Sequence, residues 1–509
     1  MAKSDEGKTV SYWEASEDLL EADSLNQSIE TDVCIIGGGI SGLTTAYLLT
    51  KAGRRVIVID DGAIGGGESC RTTAHLSNAI DDRIYRIEKW HGEEKARLAV
   101  DAHTRAISEI ERIAETENID CDFLRVDGFL IEAEDGEDDL QKELEAAHRA
   151  GFAEVEFVER APVRDFDTGR CLRFPRQGQF HILKYLSGLE RAIEQNGGRI
   201  FSNTRATEWT GEDAPEVKIA SGQTIRAQSI VLATNYPIMS KMFAKLPAYR
   251  TYVIGARVPK NSVERCLIWD NADPYIYVRT QPENDYDVLI VGGEDHRTGQ
   301  AEDFDARFGH LVQWTQKRFP FAEEVLYKWS GQYLETHDGL AFIGRFSSSE
   351  PNVYLITGDS GMGMTHGTIG GMLVSDLISG KENPWQEVFE PSRLATQSIA
   401  EAVPEIISST LPYVDWLTGG DASSADEIKN GMGAIISRGT TKIAAYRDEN
   451  GILFERSAVC THLGCIVRFN SLEKTWDCPC HGSRFGTDGH PLNTPAISPL
   501  GEIEDSSNQ

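Results

Sequence analysis

Positive charge is what this chain has least of for its size. Lys and Arg total 50 against 80 Asp and Glu, a net charge of −30 over 509 residues. That balance excludes nucleic acid and anionic membrane as main partners, because both are polyanions that proteins meet with Lys and Arg. Long apolar runs are missing too. The most apolar helical stretch, Cys34 to Leu49, is Gly-rich and shorter than the ~20 residues a membrane span needs. The opening MAKSDEGKTVSYWEASEDLL has no basic stretch followed by an apolar core, so no targeting segment is expected. Cysteine is sparse: of nine in all, Cys34, Cys70, Cys121, Cys171 and Cys266 are scattered at no framework spacing. This excludes a disulfide-built secreted fold and leads us to expect reduced thiols in a cytoplasmic enzyme. The rest, 40% hydrophobic and 26% charged, is ordinary for a globular chain with room for two or three domains.

What is present begins with TDVCIIGGGISGLTTAYLLTKAGRRVIVIDDG, from Thr31 to Gly62. The apolar run over Asp32–Ile36 predicts a buried parallel strand. Gly37, Gly39 and Gly42 then form G-x-G-x-x-G, a helix is predicted over Ser41–Ala52, and a second strand over Arg55–Ile59 ends at Asp60. Each residue type has a cause. Gly37 permits the turn, Gly39 lets backbone approach a pyrophosphate, and Gly42 lets helix and strand pack closely. The helix start at Ile40 and Ser41 offers free N–H groups and partial positive charge to phosphates. Asp60, 18 residues after Gly42, can accept from ribose hydroxyls. Strand, glycines, helix, strand and acid in order predict a dinucleotide site.

The next loop, GAIGGGESCRTTAHLS, with Arg71, Thr72 and His75, resembles the segment after the second strand in the FAD-dependent glycine/D-amino acid oxidase family. VLATNYP (Val231–Pro237) matches that family's returning strand. GLAFIGRFSSSEPNVYLITGDSGMGMTHGTIGGMLVSDLISGKENPW (Gly339–Trp385) resembles its C-terminal flavin motif. The resemblance runs from Thr31 to Trp385. It implies a bound FAD, with Gly361, Gly363 and Met364 as backbone contacts and a helix from Thr365 or His366 to Ile378 aimed at the flavin. It also implies a substrate part of about 81–160, expected to be largely helical, and 240–332. The FAD part is then about 31–80, 161–239 and 333–385. A crossover helix would bring Gln179, Phe180 and His181 near the pocket. No residue fixes the substrate. The family often uses Arg and Tyr on a substrate carboxylate, which leaves Arg250, Tyr252, Arg279, Tyr333 and Arg345 open. His181, His366, Arg279 and Tyr333 stand as candidates near the chemistry.

The second concentration is CTHLGCIVRFNSLEKTWDCPCHGS, Cys460 to Ser483, which holds four of the nine cysteines and two of the twelve histidines. Two thiolates and two imidazoles could hold zinc. The paired loops C-T-H-L-G-C and C-P-C-H-G-S instead resemble those of Rieske [2Fe–2S] domains, from Ala434 to Ile503. That resemblance makes Cys460, His462, Cys478 and His481 the cluster ligands and Cys465–Cys480 a disulfide. It makes Ser483 a donor to a cluster sulfur. Phe485 stands where high-potential members carry a tyrosine, so one donor is missing and a lower potential is expected.

The expected chain is therefore an α/β FAD-binding Rossmann-type domain with an α+β substrate-binding subdomain, then a small all-β Rieske domain. Its parts are an N-terminal extension (1–30), the FAD-dependent oxidoreductase (31–385), a linker with short helices (386–430) and the Rieske domain (431–505). Leu394–Leu417 reads as amphipathic, and Asn450-Gly451 as a hairpin turn. The expected activity is oxidation of an amine or amino acid C–N bond, with electrons passed singly through the cluster to an external carrier. Two alternatives stay open. Electrons could enter at the Rieske domain and drive reduction or oxygenation at the flavin, or the Rieske domain could be a structural or redox-sensing module on a plain oxidase.

Overall fold

The computed structural model describes residues 7–133, 136, 139–237, 246–393, 413, 415–416 and 420–503. The stretch Leu394–Leu417 lies outside these residues except for Tyr413, Asp415 and Trp416.

Val33–Ile36 is buried along its whole length, and so is Val56–Ile59, as strands covered on both faces must be. They sit in a six-stranded sheet ordered Phe342–Arg345, Val353–Thr357, Ser229–Leu232, Val33–Ile36, Val56–Ile59, Arg199–Phe201. Every neighbour pair is parallel except the outermost, Phe342–Arg345 with Val353–Thr357. The helix after the glycines runs Ile40–Lys51. The later flavin-motif helix, Gly363–Ile378, starts two residues before the expected Thr365. Its preceding turn is already made at Gly361, whose φ is +71°, so the helix needs no further lead-in.

A nine-stranded sheet stands beside this one. The 81–160 stretch supplies its expected helices, Ile84–His91, Glu93–Thr116 and Leu140–Arg149. It also supplies two strands that its helical periodicity hides. Leu124–Ile131 pairs parallel with Cys266–Asp270 and antiparallel with Cys171–Gln179, and Glu156–Val158 pairs with the latter. Leu124–Ile131 finds its parallel partner more than a hundred residues away, and pairing of that span leaves little local trace. The C-terminal domain is all strand: a three-stranded sheet from Met432–Arg438, Thr441–Arg447 and Leu453–Ser457, and a four-stranded sheet from Arg468–Asn470, Thr475–Asp477, Arg484–Gly486 and Pro491–Asn493. The expected hairpin turn is present, though Asp448 rather than Asn450 organises it. Its Oδ1 accepts from the N–H groups of Asn450 at 2.9 Å and Ile452 at 2.7 Å. The fold class is thus as the sequence implied. No described helix is long and apolar enough to cross a membrane.

The N-terminal extension is built in. Ser11 and Glu14 form a capping box on the Tyr12–Ser16 helix. Trp13 is fully buried and donates to Thr72 O at 2.6 Å. Thr9 donates to the Glu473 carboxylate of the C-terminal domain through N–H (2.9 Å) and hydroxyl (2.5 Å). Glu473 also lies 3.5 Å from Arg71 and 3.8 Å from Arg250, and all three side chains are fully buried. The extension and both domains therefore meet at one buried carboxylate.

Candidate functional site

A cavity of about 710 Å³ lies at the carboxyl ends of the parallel strands. Ligands of open α/β sheets bind there, and the volume is that of a cofactor pocket. Gly37 has φ +113°, and a Cβ there would come within 2.3 Å of Ala233 O. A Cβ on Gly42 would lie 1.9 Å from Gly37 O. Only glycine lets this helix begin so close to the strand. The Gly363–Ile378 helix crosses it at Gly367 and Gly371, where added Cβ atoms would meet Ser41 Oγ at 2.7 Å and Thr44 Cγ2 at 2.6 Å. Two helix N-termini thus converge on one cavity and offer it partial positive charge. Asp60 accepts from Gly38 N at 2.6 Å and Gly62 N at 2.9 Å, and burial pushes its carboxyl up to about 6.

Of the residues predicted for the cofactor, Gly37, Gly39, Ile40, Ser41, Asp60, Arg71, Thr72, Gly361, Gly363 and Met364 line this cavity. Gly42 lies behind it. The Arg71 guanidinium turns to the domain interface, where it donates to Thr9 O and Ser330 O, both at 3.0 Å. His75 also lines the wall, held neutral by burial that lowers it to about 3. His366 lines it too. Its Nδ1 donates to Asp359 O at 2.8 Å, and burial lowers the ring to about 4.

The substrate candidates separate. His181 caps the Ile182–Gln195 helix and bonds Ser16 Oγ at 3.0 Å, off the cavity wall. Arg279 is off the wall as well, because its Nη1 donates to the carbonyls of Thr73, Ala74 and Phe180. Arg250 serves Ser330 Oγ and Glu473, Tyr252 bonds His296 Nε2 at 2.8 Å, and the exposed Arg345 reaches Pro351 O. Of the five, only Tyr333 faces the cavity, with its hydroxyl donating to Asp295 Oδ2 at 3.0 Å. Sequence reasoning missed its neighbours on the wall: Asp81, Thr251, Tyr275, Tyr277 and Asp295. Tyr275 and Tyr277, two apart in a stretch that reads as a strand over Tyr275–Arg279 and forms one over Tyr277–Pro282, share a face, and that spacing was the available signal.

The two cysteine loops fold alike. Cys460 N donates to Cys465 O at 2.8 Å, and Cys478 N to Ser483 O at 2.8 Å. Gly464 (φ +80°) and Gly482 (φ +75°) make the matching turns. Cys465 and Cys480 are joined as a disulfide, while Cys460 and Cys478 remain free and buried. The sulfurs of Cys465, Cys478 and Cys480 lie within 4.8 Å of one another, but the disulfide uses two of them. The side chains left able to ligate are therefore the Cys460 and Cys478 thiols, which hydrogen-bond to each other, and the His462 and His481 rings, 5.0 Å apart. That bond from Cys478 pulls the Cys460 thiol down to about 7, helped by backbone N–H groups of His462 and Leu463 and by Ser483.

The family model for FAD dependent oxidoreductases matches residues 32–377. The chain belongs to the FAD dependent oxidoreductase family. The model for the Rieske [2Fe–2S] domain matches residues 421–504. YhfW of Bacillus subtilis, named for a Rieske 2Fe-2S iron-sulfur protein, is 34% identical over 97% of each chain. Gamma-glutamylputrescine oxidoreductase of Escherichia coli is 29% identical over 73% of this chain and 89% of its own. The L-proline dehydrogenase structure from P. horikoshii shares the fold, with a TM-score of 0.60 at 19% identity, over 72% of this chain and 98% of its own. The cofactors of this family member are thus FAD and one [2Fe–2S] cluster. The residues present fit both. The glycine cradle and paired helix N-termini suit a dinucleotide, and two thiols with two imidazoles on matched loops suit a mixed-ligand cluster.

Proposed function

We propose that the chain oxidises the C–N bond of a small amine or amino acid in this cavity and passes the electrons singly through its Rieske domain to an external carrier. FAD, when bound, supplies the hydride acceptor, and the cluster, when bound, supplies a one-electron carrier. The name of the E. coli relative supports an amine-type substrate.

One observation supports the reading: the cavity and the two cysteine–histidine loops share a wall. Tyr236 lines the cavity and meets the His462 ring edge-on, with centroids 6.1 Å apart. Gln332 also lines the cavity and donates through Nε2 to Gly482 O, beside His481, at 3.0 Å. A single side chain therefore separates each histidine-bearing loop from the cavity. The C-terminal domain adds Pro491, Asn493 and Thr494 to the wall, which helps exclude water.

The test is anaerobic rapid mixing of the loaded enzyme with amines and amino acids. Flavin bleaching should precede cluster bleaching. A cluster that stays oxidised after the flavin has bleached defeats the relay. His462→Ala should abolish the cluster's paramagnetic signal and reduction of the external acceptor while leaving flavin bleaching. Unchanged acceptor reduction would favour a purely structural Rieske module.

A further inference from the structure

We propose, resting on the C–N oxidation above, that the substrate end of the cavity is built for an aliphatic di- or polyamine rather than an α-amino acid. Its wall is acidic and aromatic. Asp81 reaches the glycine loop ahead of the Gly363–Ile378 helix, since a Cβ on Gly361 would lie 2.6 Å from its Oδ2. Tyr275 bonds Asp81, and Tyr277 bonds Thr251 Oγ1 at 2.6 Å. Asp295 accepts from Tyr333 through Oδ2 and lies against the Thr251 hydroxyl, which is itself engaged with Tyr277 and Gly293 O, while its Oδ1 is buried with no hydrogen-bond partner of ordinary geometry among the described residues. A carboxylate oxygen shut away from water without a donor is costly, and an ammonium N–H supplies both the donor and the charge. The Tyr275 and Tyr277 rings, 5.3 Å apart, add faces that attract a cation.

Among the described residues, the guanidinium groups of the cavity wall have partners elsewhere. Arg83 directs Nη1 to Asp81 O at 2.7 Å and Nη2 to Asp270 O at 3.2 Å. Arg71 serves the domain interface. Arg205 pairs with Asp61 at 3.0 Å and donates to Pro491 O. His75 and His366 are neutral by burial. An α-carboxylate here would face two acids, while the described guanidinium groups of the wall spend their Nη donors on other acceptors. Two carboxylates match two ammonium groups.

The test uses the loaded full-length enzyme, reduced with dithionite so that nothing turns over, and titrates it calorimetrically with 1,4-diaminobutane, glycine and L-proline. The diamine should bind at least about tenfold tighter than either amino acid. Asp295→Asn and Asp81→Asn should each weaken diamine binding about tenfold or more while the cluster's paramagnetic signal stays unchanged, which shows that the fold persists. Equal affinity for the amino acids, or full diamine affinity in both variants, overturns the proposal. Flavin bleaching of the oxidised enzyme separates the two claims. Bleaching by amino acids alone keeps C–N oxidation and sinks the diamine. A diamine that binds without bleaching keeps the inference and sinks the oxidation.

Discussion

Two buried carboxyl groups behave in opposite ways. Burial by itself would raise both. At Glu473 the guanidinium groups of Arg71, Arg250 and Arg484 overcome it and hold the carboxyl down at about 2. At Asp295 the Thr251 and Tyr333 hydroxyls and, more weakly, the Arg307 charge oppose burial, the Asp81 charge adds to it, and the carboxyl is pushed up to about 7. Desolvation sets the sign of the cost, and neighbours decide whether it is met. Where it is met, two domains are fastened together. Where it is left unmet, a cavity wall keeps a carboxyl whose charged form is disfavoured until a cation meets it, and such groups mark candidate functional sites.

The contrast breaks most severely at Glu473. Glu473→Gln leaves Arg71 and Arg250 buried without their counter-ion, and ~3–5 kcal/mol of stability should be lost. A thermal melt followed at both chromophores would read it, and an unchanged midpoint would show that the interface does not hold the domains. Acid should act on the same group. Its folded-state value is depressed from 4.5 to about 2, so its contribution is complete above about 4.5 and is lost as pH falls towards 2. Melting temperatures through that window should drop more in the wild type than in Glu473→Gln.

Asp295 gives the reverse sign. Its value is raised from 3.8 to about 7, so its contribution is present below 3.8 and is lost as pH rises through 7. Asp295→Asn should therefore stabilise the protein more at pH 8 than at pH 5, by about 1.4 kcal/mol or more. Equal gains at both values would mean the carboxyl is not raised. The smallest effect belongs to the cluster. Ser483 is fully buried and bonds Cys460, whereas Phe485, also fully buried, offers no hydroxyl. The wild-type midpoint should lie below about +250 mV, near the upper end of the Rieske range. Phe485→Tyr should raise it by the worth of one hydrogen bond, about 1 kcal/mol or roughly 40 mV. A redox titration that finds no rise would place the new hydroxyl away from the sulfurs.

The parts of this protein differ in how far they could be read from residues alone. The Cys460–Cys465 and Cys478–Ser483 loops close their own hydrogen bonds, so spacing and glycine placement carry their shape. Gly37, Gly42 and Asp60 work within one strand–helix–strand unit, which is also local. The substrate wall is different. Asp81, Thr251 and Asp295 come from three distant segments, and nothing next to any of them in sequence distinguishes it from a surface residue, while Tyr333, from a fourth, was singled out by the family resemblance. The arginines misled for a related reason. Arg250 and Arg279 look like carboxylate binders, but buried carbonyl, hydroxyl and carboxylate acceptors claim them.

Short-range spacing was enough to specify a dinucleotide site and a two-thiol, two-imidazole centre, which the family resemblance made a flavoenzyme domain followed by a Rieske domain, because cofactor-binding loops are held by bonds between near neighbours. The three-dimensional packing alone decided how those domains dock and which side chains surround the substrate. Thr9 meets Glu473 across 464 positions, and Arg71 meets Ser330 across 259. Contacts of that span are chosen by burial and charge in the folded molecule, and no local pattern records them.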